Sequence, residues 1–586
     1  MLERIDFKSK KMTKEEYKPI HDELINRLVL LQQQARSAGV GLVVLVEGWN
    51  GAGKGTRISE LIYELDARAT KVYVTRDIDP EAARSFEGVE WGVMGEDPLM
   101  KQFWEALGER NEITFYDRGW YTAAAERALF SLTGDRAKKL QKAQKKAKDL
   151  PMFEEGPAEA RLMLQHDLIA GYQQTSNRFE HMLVDDGYAV VKLFVHVSKK
   201  AQRERLEALY KDPNTAWRVS KRKLEMTKYY DQAYEIYDKF LECSNFAQAP
   251  WTIVNGEDRR VANIQIAQAL VDALEHALTA DLDAAAEEAK RKAAENSAAL
   301  SGAAVGGADE PAASEEDKEA VIRAYEERAA TQRRLAPRGS VFPVMAGYPQ
   351  IDHSKEKPRI DDEKEYRALL KKEQTRFRML QEEALRKSVP IMIMYEGWDA
   401  AGKGGNIKRV AQAIDARTYR IYPSPAPSKA ELAHPHLWRY WTRLPKAGFV
   451  GIYDRSWYGR VLVERVEGYA STEQWSRAYD EINFFEHQLV QWGATVLKFW
   501  VDITPEEQIA RFEARAADPN KTWKLTDEDW RNRDKYPLYE AAVNDMFRLT
   551  STEFAPWTVL ESDSKWYARI QALTAINEAL EARLHA

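Results

Sequence analysis

A single cysteine, Cys243, is all the thiol chemistry in 586 residues. One thiol closes no disulfide framework and builds no cysteine-based zinc site. Long apolar runs are missing as well: none approaches the ~20 residues that cross a bilayer. The first residues, M-L-E-R-I-D-F-K-S-K-K, lack the apolar centre of a secretory leader. The expectation is a soluble, cytoplasmic chain without a membrane partner. An excess of one charge is also missing, since 86 Lys and Arg face 92 Asp and Glu for a formal net charge of -6. That balance argues against nucleic acid held by bulk basicity. A polyanion can still enter a local basic channel, because the field in a cleft depends on nearby charges. What is present is apolar material at 44% of the chain, enough for sizeable cores. The length predicts more than one domain.

The most informative segment occurs twice. V-E-G-W-N-G-A-G-K-G-T spans 46–56, and Y-E-G-W-D-A-A-G-K-G-G spans 395–405. Both fit G-x-x-x-x-G-K and follow a short apolar run. Such a loop turns backbone N–H groups toward phosphate oxygens, and its Lys adds a fixed positive charge. The repeat continues downstream. Y-D-R-G-W-Y (116–121) matches Y-D-R-S-W-Y (453–458), D-P-N-T-A-W-R (212–218) matches D-P-N-K-T-W-K (518–524), and A-P-W-T-I-V (249–254) matches A-P-W-T-V-L (555–560). The distance between counterparts falls from 349 to 337 to 306 residues, so the first copy carries insertions. This is a tandem domain duplication rather than a solenoid.

The expected division is a first domain over 1–278, a linker over 279–340 and a second domain over 341–586. S-G-A-A-V-G-G-A-D-E-P-A-A-S (301–314) reads as flexible, and A-A-A-E-E-A-K-R-K-A-A-E (284–295) as a solvated helical spacer. Strands are predicted at 41–46, 71–75, 113–116, 189–197 and 252–254, with partners at 391–395, 420–422, 449–453, 495–501 and 558–560. Several are continuous apolar runs, as buried parallel strands require. Strands alternating with helices behind a first-strand phosphate loop imply a three-layer α/β/α fold in each half.

In the second copy, Lys403 heads a helix, with Gly397, Gly402 and Gly404 shaping the cradle around it. Lys408 and Arg409 follow on that helix as further phosphate-binding candidates. A plain glycine-rich strand–helix turn is the bland alternative. The residue after the Lys of such loops is normally Ser or Thr, which ligates Mg2+. Here it is Gly404. Asp399, inside the loop, is the obvious substitute, because a carboxylate is a hard oxygen ligand suited to that ion. Asp454 ends an apolar strand where a second metal-facing carboxylate is expected, and Arg455 directs charge at the same cleft. Taken alone, these two also fit a strand-end ion pair. Arg511 and Arg515 are four apart and share a helix face. They suit a clamp over a phosphoryl group, or else a solvated helix paired with Glu506, Glu507 and Glu513. Lys524 and Arg531 extend the basic surface on weaker grounds.

Together, G-W-D-A-A-G-K-G-G, Y-D-R-S-W-Y, D-P-N-K-T-W-K and A-P-W-T-V strongly resemble the family-2 polyphosphate kinases, over about 10–275 and about 345–580. The tandem layout looks like the two-domain branch, the polyphosphate:AMP phosphotransferases. The resemblance implies phosphoryl transfer from inorganic polyphosphate to a nucleoside monophosphate, a thymidylate-kinase-like P-loop fold and a helical lid. It also implies a catalytic set of Asp399, Lys403, Asp454, Arg455, Arg511 and Arg515. Asp399 and Asp454 would hold Mg2+, or Mn2+ in its place. Two alternatives remain open: an ATP-dependent nucleoside monophosphate kinase, and a polyphosphate kinase acting on ADP. A non-enzymatic phosphate-binding scaffold is a further rival, and a homo-oligomer is compatible with the sequence.

The two copies differ where charge matters. Asp399 corresponds to Asn50, Lys408 to Ser59, Arg409 to Glu60 and Arg515 to Leu209, while Lys54, Asp117, Arg118 and Arg205 are retained. A polyanion site tolerates an added Glu poorly. The second half is therefore expected to do the chemistry, with the first a degenerate counterpart. The first half also carries R-A-K-K-L-Q-K-A-Q-K-K-A-K (136–148) in its insertion, a basic stretch that fits either a polyphosphate tether or an ordinary solvated helix.

Overall fold

The computed structural model describes residues 1–8, 10–75, 93–94, 97–122, 175–302, 341–354, 356–518 and 535–585. The basic stretch at 136–148, most of the 301–314 linker, Lys524 and Arg531 lie outside them. The chain forms two compact units. The first comprises Met1–Ser85, Gln102–Gly307 and Lys429–Pro435, and the second comprises Phe86–Lys101, Ala308–Ser428 and His436–Ala586.

The first unit contains α1 (Lys14–Ala38), β1 (Gly41–Gly48), α2 (Lys54–Ile62), β2 (Thr70–Val74), β3 (Ile113–Asp117), β4 (Tyr188–His196), α3 (Lys199–Lys211), α4 (Tyr230–Cys243), β5 (Trp251–Asn255) and α5 (Arg259–Gly302). The second contains α6 (Glu363–Arg386), β6 (Ile391–Gly397), α7 (Lys403–Ala411), β7 (Tyr419–Pro423), β8 (Val450–Asp454), α8 (Thr472–Gln491), β9 (Thr495–Asp502), α9 (Pro505–Ala516), α10 (Tyr536–Thr550), β10 (Trp557–Glu561) and α11 (Lys565–His585). Every strand expected from the apolar runs is present. The helical spacer is the end of α5, which runs unbroken to Gly302.

Each unit is built on a five-stranded parallel sheet, ordered β2-β3-β1-β4-β5 in one and β7-β8-β6-β9-β10 in the other. The loop-bearing strand is central both times. Residues 41–47 and 391–396 are buried throughout, because helices cover both faces of a parallel sheet. On one face α1 packs on α5, and α6 on α11. Register aligns Val46 with Asp117 and Tyr395 with Asp454. The phosphate loop therefore leaves the sheet beside the strand that ends in Asp–Arg. Ligand sites in open α/β sheets lie at these carboxyl ends.

One buried charge pair recurs in both cores. Lys192 Nζ donates to Glu180 Oε2 at 2.9 Å, to the Tyr121 hydroxyl at 3.2 Å and to the Ser244 carbonyl at 2.7 Å. Lys498 Nζ donates to Glu486 Oε2 at 2.8 Å, to the Tyr458 hydroxyl at 2.9 Å and to the Thr550 carbonyl at 2.7 Å. All four charged side chains have 0% exposure. The other Glu486 oxygen accepts from Trp457 Nε1 at 2.9 Å and Tyr458 Oη at 2.7 Å. The W-Y of Y-D-R-S-W-Y is thus a core anchor, and it fixes where Asp454 and Arg455 emerge.

Candidate active site

The loop geometry dictates its glycines. Gly397 has φ +147° and Gly48 φ +130°. A Cβ at Gly397 would run into the Val501 carbonyl oxygen, and one at Gly48 into that of Val195. Gly402 (φ +108°) and Gly53 (φ +88°) precede α7 and α2 in the left-handed region, and neither helix has a side-chain cap. The first-turn amides are therefore left for an anion. A Cβ at Gly404 would meet nothing within 4 Å, so the space over α7 is open. Lys403 Nζ folds back to donate to the carbonyls of Gly397 (2.5 Å) and Trp398 (3.1 Å). Burial lowers its pKa, and the nearby Asp399 carboxylate opposes that shift. Lys54 repeats the pose on Gly48 (2.9 Å) and Trp49 (3.1 Å).

Asp399, Asp454 and Arg455 are brought together around Lys403. Arg455 Nη2 lies 3.3 Å from Asp399 Oδ1 and its side chain is 53% exposed, so its charge is available to a ligand. Its backbone sits at φ +62°, a conformation non-glycine residues rarely adopt. It is held by its N–H donating to the Tyr395 carbonyl and its carbonyl accepting from Ser424 Oγ. Ala400 shares this strained state at φ +62°. Such outliers concentrate at functional sites.

The helix-α9 arginines diverge. Arg511 is buried: Nε donates to Glu507, Nη1 to the carbonyls of Ala400 (3.0 Å) and Ala401 (2.9 Å), and Nη2 to that of Ser562. Its guanidinium braces the back of the loop rather than facing the cleft as a clamp. Spacing along a helix could not separate those roles. Arg515, one turn on, is half-buried and adds to a positive field with Lys565 and Arg569 of α11. Burial, and then the charge of Arg511, push Lys565 down from its ordinary pKa. Arg569 Nη2 would lie 3.2 Å from a Cβ at Gly405. Lys408 is exposed on α7, and Arg409 Nη1 donates to the Gly405 carbonyl at 3.3 Å.

Glu396 escaped the sequence reading. Its Oε1 accepts from the Ser456 N–H at 2.6 Å and the Ser456 hydroxyl at 2.8 Å, tying the loop strand to the turn after Arg455. Burial raises its pKa, with the Ser456 hydrogen bonds, Lys403 and Arg455 opposing. Glu47 does the same through the Gly119 N–H and the Thr122 hydroxyl, and burial lifts it to about 7. The signal was in plain view, because both loops read E-G-W.

Trp398 is pinned from behind. Its Nε1 donates to Asp502 Oδ1 at 2.8 Å, and its ring stacks on Tyr536 at 4.3 Å. His353 Nε2 lies 3.0 Å from Asp502 Oδ2, and this hydrogen bond raises the His353 pKa. A raised folded-state value means stability that is fully present below the unfolded pKa of about 6.5 and lost as pH rises through the folded one. His353→Gln is therefore expected to destabilise the chain more at pH 5.5 than at pH 8.5. Denaturant unfolding at the two pH values checks this, and an equal loss at both refutes it.

The first unit has the same frame with altered side chains. Arg118 keeps φ +67°, but its Nη2 donates to the Thr75 carbonyl at 3.0 Å. Asn50 replaces the carboxylate that Arg455 faces in the second unit. Glu60 pairs with Arg57 (3.4 Å) and with Arg259.

The second unit suits a divalent ion. Among the described residues no group of three or more His, Cys, Asp or Glu side chains is placed to hold a metal. Mg2+ seldom uses such a cage, taking one or two carboxylates plus waters and substrate phosphates. The Asp454 carboxylate, half-exposed at the strand end, accepts no side-chain hydrogen bond among the described residues. That leaves its oxygens open, beside Asp399 in the Lys403 field.

Comparison with known proteins gives the family. Residues 11–163, 162–281 and 360–586 match the family described as Polyphosphate kinase 2. A polyphosphate:AMP phosphotransferase of Pseudomonas aeruginosa is 33% identical, over 96% of this chain and 94% of that one. One from Acinetobacter johnsonii is 31% identical, over 94% of each. A crystal structure of a polyphosphate kinase 2 from Pseudomonas aeruginosa superposes with a TM-score of 0.69 at 29% identity, covering 100% of this chain and 99% of that one. No helix among the described residues is long and apolar enough to cross a membrane. Two phosphate loops on two matching sheets, each within a stretch that fits the same family, place this chain in the polyphosphate kinase 2 family.

Proposed function

We propose that the second unit transfers the terminal phosphoryl group of inorganic polyphosphate to AMP, forming ADP and a chain shorter by one phosphate. The observation that carries this reading is the cluster of Asp399, Lys403, Asp454 and Arg455 at the loop, with Lys565, Arg569 and Arg515 adding positive charge nearby. The relatives matched over nearly their whole length, polyphosphate:AMP phosphotransferases, support the same donor and acceptor.

The reaction asks little covalent work of the protein. A phosphate oxygen of AMP attacks the terminal phosphorus in line, and the bridging P–O bond opposite breaks, leaving its electron pair on the shortened chain. The nucleophile is already anionic near neutral pH, so no strong base is needed. Amides of the α7 first turn receive the donor phosphates. Lys403 leaves its loop carbonyls to meet the transferring group, and Arg455 stabilises the charge spread over its oxygens. Glu396, Arg511 and the Trp457–Tyr458 anchor hold this frame. Mg2+ at Asp399 and Asp454, when bound, supplies further neutralising charge.

AMP, ADP and GMP, each given polyphosphate and Mg2+ without ATP, test the reading by product analysis. ADP from AMP, with shortening of the polymer, is expected. Transfer that runs only with ATP as donor overturns it in favour of a monophosphate kinase. Faster formation of ATP from ADP would move the acceptor to the diphosphate.

A further inference from the structure

In the first unit a cavity of about 480 Å3 lies behind the phosphate loop, lined by residues 51–53 and by three arginines, Arg57, Arg205 and Arg259. The second unit differs from it in side chains. Arg57 stands where the second unit has Asn406, and Asn263 stands where it has Arg569. A guanidinium has changed helices between the copies while remaining beside the loop. Arg57 is mostly buried, at 12% exposure, and among the described residues its Nε has no hydrogen-bond partner, with Glu60 Oε2 at 3.4 Å. Burial and the charges of Arg259 and Arg205 disfavour the Arg57 cation. Arg205 is held loosely, 3.5 Å from the carbonyls of Gly51 and Ala52, where Arg511 makes bonds of 3.0 and 2.9 Å. Glu60 faces both Arg57 and Arg259, accepts from Asn263 Nδ2 at 3.0 Å, and keeps 22% of its side chain exposed. It is a displaceable counter-ion.

We propose that this cavity is a non-catalytic binding site for a short run of inorganic polyphosphate, with Glu60 occupying the arginines until the polymer arrives. The inference rests on the reading that the second unit does the chemistry. The lining favours a phosphate chain over a nucleotide, since among the described residues it holds no aromatic side chain on which a base could stack. The carboxylates in the wall, Asp212 and Glu257, accept from the backbone N–H groups of Asn214 and Ser198, both at 2.9 Å. Their charge is thereby partly met within the wall, and Glu60 is the acidic group that competes for the arginines. A polymer held here stays tethered to the enzyme between transfers, which raises its concentration at the second site.

Tripolyphosphate titrated calorimetrically into the full chain is expected to find two sites. Arg57→Ala with Arg259→Ala weakens one of them at least about tenfold, as loss of charged hydrogen bonds predicts. Glu60→Gln tightens the same site, and it keeps the test decisive should the double variant fail to fold. One site in the unaltered chain, or two sites indifferent to these substitutions, overturns the proposal. So does AMP competing at the Arg57-sensitive site. Lys403→Ala removes turnover and leaves that site in place. A Lys403→Ala chain with full turnover would refute the location of the chemistry while the binding result stood.

Discussion

Lys403→Ala is expected to slow ADP formation from AMP and polyphosphate by about a hundredfold or more, and Lys54→Ala to leave it within about twofold. A preorganised charge aimed at a transferring group contributes on this scale in other enzymes. The contrast is the informative part, because the two lysines are held alike, each folded onto two carbonyls of its own loop. Any difference must come from their surroundings. The second unit carries Asp399, Arg409 and Arg515 where the first carries Asn50, Glu60 and Leu209. Initial rates at saturating donor and acceptor measure the effect on kcat, and titration of each substrate separates it from binding. The reverse pattern would place the chemistry in the first unit.

The second large effect is on stability. Lys498→Met should destabilise the second unit by about 3–5 kcal/mol, the usual consequence of stranding one member of a buried pair. Glu486 would remain at 0% exposure with its Oε2 partner gone. For a unit of this size the melting temperature should fall by roughly 6–20 °C. Adding Glu486→Gln should recover much of the loss. The amide oxygen still accepts from Trp457 and Tyr458, and no stranded charge remains. Lys192→Met gives the matching control, lowering the melting of the first unit through Glu180. A Lys498→Met chain that melts normally would show that the pair contributes no net stability. Activity should fall with stability here, because the same Glu486 holds the two aromatics behind Asp454 and Arg455.

Much of the fold was legible because its strands are continuous apolar runs and its loops carry two phosphate motifs. Strand order was not, since nothing along a chain says which runs pair. Lys403, Asp399, Asp454 and Arg455 could be singled out because loop and strand-end positions follow from local sequence. Arg511 resisted, because a helix face fixes neighbours but not whether a guanidinium reaches a ligand or a carbonyl. Lys565 and Arg569 follow the A-P-W-T-V segment by several residues, and only the tertiary fold brings them near Gly405. Lys498 and Glu486 were visible to a closer self-comparison. A lysine inside V-L-K-F-W-V and V-V-K-L-F-V, at matching positions, is too costly to bury without a partner.

Arg118 still holds the left-handed backbone that Arg455 adopts, although its guanidinium has turned to the Thr75 carbonyl. The two halves therefore share main-chain architecture at a point where their side chains take different partners. After a gene doubles within one reading frame, one half can drift in its charges while the backbone geometry persists. Such a half is a ready scaffold, already differing from its twin at Asn50, Arg57, Ser59, Glu60, Leu209 and Asn263 without loss of the loop's shape.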